Sequence, residues 1–428
     1  MNGIKIRLLL VWSFLLNCNV NDMRTIDIFR YLLGFCMFGG MFSACMPSTD
    51  DIEPVRKVEI MISLQEEDFI DTRFANKEVT IRGSKNSYKA VTDEEGVAVF
   101  QDLLPDVYSL AVSYVLPREE YGNMVNPPIE ANDVLLNGTL PNLRIYENYN
   151  GELTLQMGVR QSLIFSKIYY SGTKNANNKN YDVDQYIELY NNSDQTVSTE
   201  NIHIALLETE STPWFVEEKE QYIYAKDIFK LPTRDLEPGK SILIARQAID
   251  HTIDAPLSLD LTIADYEVKA VNKPQNSQVE QLPHVYKSLA TLDWLNMVVG
   301  GGNQLVLFRY DGDVNDLTKK QKPDAKPSHA WYVQIATSMV LDGVECLKYN
   351  AQEIDLSKKR MPARIDASYQ TLSTASGRTG ESIERKVARV EEDGRVVLQD
   401  TNNSLEDFVC TSDIRPLIYT KPELQPQE

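Results

Sequence analysis

The sequence predicts an all-β protein: two consecutive β-sandwich domains behind a lipoprotein signal peptide. Three observations carry that expectation. Between residues 57 and 158, apolar and polar residues alternate in short runs spaced about ten residues apart. From 160 to 415 the same pattern recurs between Pro-Gly and Gly-rich turns, and only LSLDLTIADYEV (257–268) reads as a short helix. The chain has 428 residues and is 43% hydrophobic, which suffices for two large cores.

The N-terminus comes first. IRLLLVWSFLL (6–16) and YLLGFCMFGGMF (31–42) are each too short to span a bilayer comfortably. The second has the parts of a secretory signal: Arg24 and Arg30 ahead of it, an apolar stretch, then Ser43 and Ala44. Residues 1–44 are therefore read as a signal peptide, with Met23 an alternative start. FSAC (42–45) resembles the bacterial lipobox, with Phe42 where Leu is usual. That resemblance implies cleavage before Cys45 and acylation of its thiol and amine, with the membrane as partner. Several acyl chains hold a protein stably where one is marginal. Residues 45–56 are rich in Pro, Ser, Thr and acidic groups and read as a solvated tether. Their acidity is similar to the surface-export signal of Bacteroides-type lipoproteins. It implies an outer-membrane protein facing the cell exterior; the alternative is the periplasmic face.

Charge and cysteines narrow the partners. The net charge is −19. Residues 1–44 hold four basic and two acidic groups, so the rest carries 39 against 60, a net of −21. Such a body repels phosphate backbones, and no nucleic-acid partner is expected. Five cysteines show no CxxC spacing. Cys346 and Cys410 are either a disulfide or two free thiols.

In the first domain (57–158), strands are expected at VEIMISL, KEVTIRG, GVAVFQDL, VYSLAVSYVL, DVLLNGTL and GELTLQMGV. Asp93 and Gly96 make a tight turn, after which Val97, Val99, Leu103 and Tyr108 face one core. Thr92, Asp93, Gly96, Ala98, Phe100, Leu103, Pro105 and Tyr108 match the pattern of carboxypeptidase-regulatory-like and Cna-B-like domains, and Asp106 replaces their usual Gly. That resemblance implies a prealbumin-like sandwich used as a stalk.

In the second domain (160–415), LIFSKIYY and QYIELYN read as strands alternating apolar and polar. FKLPTRDLEPGKSILIARQ gives strand, turn, strand, and GGGN (300–303) a hairpin turn. Ile164, Ile168, Tyr169, Tyr170, Tyr186–Leu189, Asn191, Leu236, Pro238, Gly239 and Leu305–Leu307 resemble the bacterial lamin-tail domain, here with long insertions. That implies an immunoglobulin-like sandwich. Residues 416–428 are left as a C-terminal tail. As a whole the chain resembles a Bacteroidetes lipoprotein family defined by domain of unknown function 4876.

Candidate chemistry is sparse. His203, His251, His284 and His329 lie in separate segments without metal-binding spacing. Asp311, Asp313 and Asn315 imitate the start of a calcium loop, but Asp316 and Lys322 break the pattern, and a solvated turn is the simpler reading. Asp182, Asp184 and Glu188 are the carboxylates that a hydrolase reading would use. Trp214, Trp331, Tyr146 and Tyr149 are candidate ligand-stacking aromatics, with YENYN (146–150) near the domain junction. No cofactor and no catalysis are expected. The expected function is a lipid-anchored surface binding or accessory module, partnered with an outer-membrane transporter or receptor and taking a glycan or other nutrient. The alternatives are a carboxylate-dependent surface hydrolase and a structural envelope or adhesion protein.

Overall fold

Asp93 shows how the first sheet is set. Its Oδ1 accepts from the Glu95 and Val97 amides at 3.1 and 2.7 Å, and Gly96 takes a left-handed φ of 88°. A Cβ on Gly96 would lie 2.6 Å from the Ile62 carbonyl oxygen, so only glycine fits. The computed structural model describes residues 53–65, 69, 71–117, 120, 134–209, 213, 215–268, 275–350 and 356–426. Cys45, the signal peptide and Trp214 lie outside the described residues. Pro54–Glu428 form one compact unit.

Seven strands make the first sheet: β1 (Val55–Leu64), β2 (Glu78–Arg82), β3 (Ser87–Val91), β4 (Val97–Leu103), β5 (Asp106–Leu116), β6 (Val134–Ile145) and β7 (Tyr149–Val159). Their spatial order is β3-β2-β5-β6-β7-β1-β4, with β1 and β7 parallel and the other pairs antiparallel. The sheet wraps a core that includes Val58, Ile60, Ile62, Ile81, Phe100, Tyr108, Leu110, Leu136 and Leu155. Ala98 and Phe100, not Val97 and Val99, face this core. They sit opposite Ile60 and Val58, and paired residues share a face. Asp102, at φ 53°, shifts the phase so that Leu103 also turns inward. YENYN belongs to the β6–β7 turn rather than to a domain junction.

The rest of the unit is a second sandwich. One sheet holds β8 (Leu163–Tyr169), β9 (Tyr186–Asn191), β12 (Ser241–Ala245), β16 (Ser382–Arg385) and β17 (Phe408–Thr411), in the order β12-β9-β8-β16-β17. The facing sheet holds β10 (Ile202–Leu207), β11 (Tyr222–Lys230), β13 (Asn303–Arg309), β14 (Tyr332–Ala336) and β15 (Val340–Cys346), in the order β14-β11-β10-β13-β15. Phe165, Ile187, Leu189, Ile242 and Ile383 from the first meet Ile204, Leu206, Phe229, Leu305 and Leu307 from the second. The protein is thus all-β and built of sandwiches.

Three expectations for this half are corrected. First, β8 and β9 are buried on both faces. The loop at 247–264 covers Tyr169, Tyr186 and Leu243, while Tyr419 and Leu424 cover Ile164 and Tyr190. The polar residues between the apolar ones are therefore interior groups, not solvated ones. Second, 257–268 is a chain of turns ending in a short strand at Tyr266–Glu267, with Asp260 accepting from the Thr262 amide at 2.9 Å. Short polar side chains compete with helical bonds in this way. Third, GGGN is no hairpin. Residues 294–299 form no strand, and β13 pairs with β10 and β15. Asn303 clamps the turn by accepting from the Val298 amide at 2.7 Å and donating to the Val298 carbonyl at 2.8 Å.

Candidate functional site

The carboxylates singled out from sequence go to separate positions, Asp184 and Glu188 interior and Asp182 not. Asp184 is buried, and its Oδ2 accepts from Ser258 Oγ at 2.6 Å and Tyr169 Oη at 3.0 Å. Burial pushes its carboxyl up to about 6. Asp182 stays half-exposed, 4.0 Å from Arg246. Glu188 is buried and accepts from the Leu417 amide at 2.8 Å, from Ser166 at 3.2 Å and from Tyr419.

The histidines are equally dispersed. His203 stacks on Phe308 with ring centroids 5.0 Å apart, and burial lowers its pKa to about 4, so it is neutral at pH 7. His251 is buried between Tyr181 Oη, 2.7 Å from its Nδ1, and the Gln247 carbonyl, 2.9 Å from its Nε2. His284 lies 3.2 Å from Asp227, and His329 is exposed in a turn. Cys346 and Cys410 are free thiols.

Asp311, Asp313 and Asn315 line a shallow depression with His203 and Lys230. Asp313 caps a short 3₁₀ turn, accepting from the Asn315 amide at 2.8 Å, and Asp311 accepts from Asn201 at 3.0 Å. Among the described residues, no three His, Cys, Asp or Glu side chains gather as a metal-ligand set. The aromatic candidates stand on different elements. Tyr146 is exposed in the β6–β7 turn, Tyr149 packs on the first core, and Trp331 precedes β14 and is 44% exposed.

A site that sequence reading missed lies on the outer face of the first sandwich. A groove of about 430 Å³ is floored by β2, β3 and β5 and walled by residues 399–406 of the second sandwich. Alternation makes this floor. Leu110 and Val112 point into the core, so Ala111 and Ser113 point out. Two ion pairs flank the groove: Lys89–Glu78 at 2.7 Å and Arg82–Glu406 at 2.8 Å. Such exposed pairs stabilise little, but each cancels its own charge locally.

Ser113 also begins a row. It stands directly opposite Asn137 on β6, which stands opposite Gln156 on β7. The row runs beneath the second sandwich, where Thr139 donates to the Ala367 carbonyl at 2.5 Å and Gly158 lies against the Arg364 carbonyl. Asn137 is fully buried, yet neither its amide nitrogen nor its oxygen has a hydrogen-bond partner. Ser113 Oγ and Gln156 Oε1 also lack one, while Gln156 Nε2 donates to Glu220 at 3.0 Å. Each such orphaned group costs about 1–3 kcal/mol. No local motif in the sequence marks this row. Its only trace is three polar residues at outward positions of otherwise apolar strands, which normally means contact with water.

Comparison with known proteins agrees with the fold. Residues 237–413 match a family model described as "Protein of unknown function (DUF4876)". A crystal structure of a DUF4876 family protein from Bacteroides thetaiotaomicron VPI-5482 is similar, with 22% identity and a TM-score of 0.52. The alignment covers 83% of this chain and 94% of that one. At that identity the likeness is one of fold. No curated protein matches the chain.

Proposed function

We propose that this chain, whose residues 237–413 match the DUF4876 family model, is a lipid-anchored cell-surface binding or accessory protein without catalysis. The observation that carries the reading is the stretch from Met37 to Asp51. There an apolar segment ends in Ser43, Ala44 and Cys45 and gives way at once to an acidic tether. The thiol of Cys45 takes the diacylglyceryl group and its freed amine takes a further acyl chain. Residues 45–56 then hold the body off the membrane on its outer face.

The first sandwich serves as a stalk, in line with its regulatory-like motif, and the second has the lamin-tail pattern. The partner is an outer-membrane transport or surface assembly system, to which the protein presents a captured nutrient. Burial of Asp184 and Glu188 among tyrosine and serine hydroxyls supports binding over a carboxylate-dependent hydrolase. A hydrolase of that kind needs two carboxyl groups flanking one accessible bond.

The anchor is tested by replacing Cys45 with Ala and labelling cells with an alkyne fatty acid. The expected result is an unlabelled, uncleaved precursor beside a labelled mature wild type. Equal processing of both forms overturns the reading.

A further inference from the structure

We propose that the side-chain amine of Lys219 is a covalent modification site, a nucleophile that condenses with small aliphatic aldehydes. The site is independent of the anchor and of the binding reading above.

The chain sets this amine in a narrow pocket. Lys219 follows a 3₁₀ turn at Val216–Glu218 and leads into β11. It lines a cavity of about 10 Å³, whose walls include Phe215, Tyr222, Tyr224, Glu208, Lys359 and Arg360. That is about the room one water centre needs, so the pocket takes only a small group. The Phe215 and Tyr224 rings lie 4.4 Å apart. Phe215 holds a left-handed φ of 58°, which is strained for a bulky side chain. Strain of this kind clusters at functional sites.

The carboxylates around Lys219 are committed to other groups. Glu208 accepts from Arg360 Nε at 2.9 Å, and Glu218 holds Lys320 at 2.7 and 2.9 Å. Glu345 accepts from the Arg360 and Met361 amides and lies 3.8 Å from Lys359. Glu220 accepts from Gln156 at 3.0 Å. Lys219 is left with no acceptor and no ion pair among the described residues.

That separates it from the other buried lysines. Burial pulls the ammonium pKa of Lys167, Lys219 and Lys226 down. Lys167 donates to the Arg415 and Ile418 carbonyls at 2.8 and 2.6 Å, and Lys226 donates to the Asn296 carbonyl at 3.0 Å. Their protons are held, and both side chains are closed off from solvent. Lys219 is partly exposed, and nothing nearby holds its proton. The Lys359 charge adds to the effect of burial, and Glu220 and Glu345 oppose it. A desolvated amine beside a second cation is the setting in which lysine acts as a nucleophile.

The reaction needs no oxidant or reductant. The Nζ lone pair adds to the aldehyde carbon, and the carbonyl oxygen takes up a proton that the nitrogen gives up. That oxygen then leaves as water with the second nitrogen proton, and a C=N bond forms. One amine and one aldehyde give one imine and one water. The narrow cavity restricts the partner to aldehydes about the size of glycolaldehyde.

The test is reductive labelling of the purified protein with glycolaldehyde from pH 6 to 10. Cyanoborohydride traps each imine as a secondary amine, and mass spectrometry of digests reads every lysine separately. Benzaldehyde is the bulky probe run alongside. Lys57 and Lys89, whose side chains are 53% and 67% exposed, are the internal references. The proposal expects Lys219 to label about tenfold or more faster than either at pH 7, since one pKa unit is about a tenfold gain in free amine. It expects a lower pH midpoint for Lys219, and stronger discrimination against benzaldehyde than the references show. Phe215→Gly keeps the left-handed backbone without strain while opening the wall. It should admit benzaldehyde and bring the Lys219 midpoint toward that of the references.

Labelling of Lys219 no faster than the references overturns the proposal. So do coincident midpoints, or a size selection that survives Phe215→Gly. The first two are read on the wild type, so they decide the matter even where the variant fails to fold.

Discussion

Lys421 and Glu384 meet with both charges withdrawn from water. The ammonium lies 2.7 and 2.6 Å from the two carboxylate oxygens, and both side chains are fully buried. Lys167 and Glu188 complete the cluster, Lys167 lying 3.4 Å from Glu384. Burial pushes the Glu384 carboxyl up and the Lys167 ammonium down, and each counters the other. Two lysines facing two glutamates leave no net charge inside. Removing one partner strands the other, at a cost of about 3–5 kcal/mol. Lys421→Met should therefore lower unfolding stability in urea by about 3 kcal/mol. Adding Glu384→Leu should recover most of that loss. Equal stability of wild type and Lys421→Met would show that the pair contributes nothing.

At the scale of elements, Arg385 on β16 ties four segments together. Its guanidinium donates to the Phe165 carbonyl on β8 at 2.9 Å. It also lies 3.3 Å from Asp342 on β15, 3.1 Å from Asp400 and 3.3 Å from Asp407. One cation serves three buried carboxylates. Burial, partly offset by Arg385, pushes Asp342 and Asp407 up to about 7 from an ordinary value of 3.8. The folded state therefore holds protons that the unfolded chain releases. Stability from these groups is full below about pH 4 and is lost as pH rises through about 7. Urea titrations from pH 4 to 8 should show that fall. Asp407→Asn should flatten it by up to about 1.4 kcal/mol per pH unit. An unchanged slope in the variant would remove this cluster as its source.

The same elements show what a sequence reading can and cannot see. Asp93, Gly96 and Tyr108 announced a turn and a core position, because tight turns and period-two burial leave local marks. Lys167 and Glu188 stand at the polar positions of alternating strands, and nothing local to either strand shows that they are buried. What buries them is the segment around Arg415–Tyr419, more than 200 residues away, whose carbonyls at Arg415 and Ile418 accept from Lys167. The row was illegible for the same reason. Ser113, Asn137 and Gln156 are outward positions on their own strands; Asn137 becomes fully buried, and the other two partly so, only in the folded chain, where the same face meets the 364–367 segment. Phase within a strand is also fragile: β4 turned on one residue, because its partner β1 decides which face is inside.

At the scale of the whole molecule, the two sandwiches are self-supporting. Two sandwiches with packed cores need no ligand to stand, and their apolar interiors are closed by strands and loops of the same chain. What remains for function is the surface, including the polar groove on the first sandwich, and the anchor proposed at Cys45. A net charge of −19 keeps such a surface hydrated and disfavours self-association. We propose display on the cell exterior, because a surface protein that passes a ligand to a transporter would have to meet that ligand outside.

Protease shaving of intact cells tests that claim most directly, with a periplasmic protein followed alongside to verify that the envelope stays closed. Loss of the full-length protein while the periplasmic marker survives is the predicted result. Survival of the protein on intact cells, with digestion only after the outer membrane is opened, would contradict it.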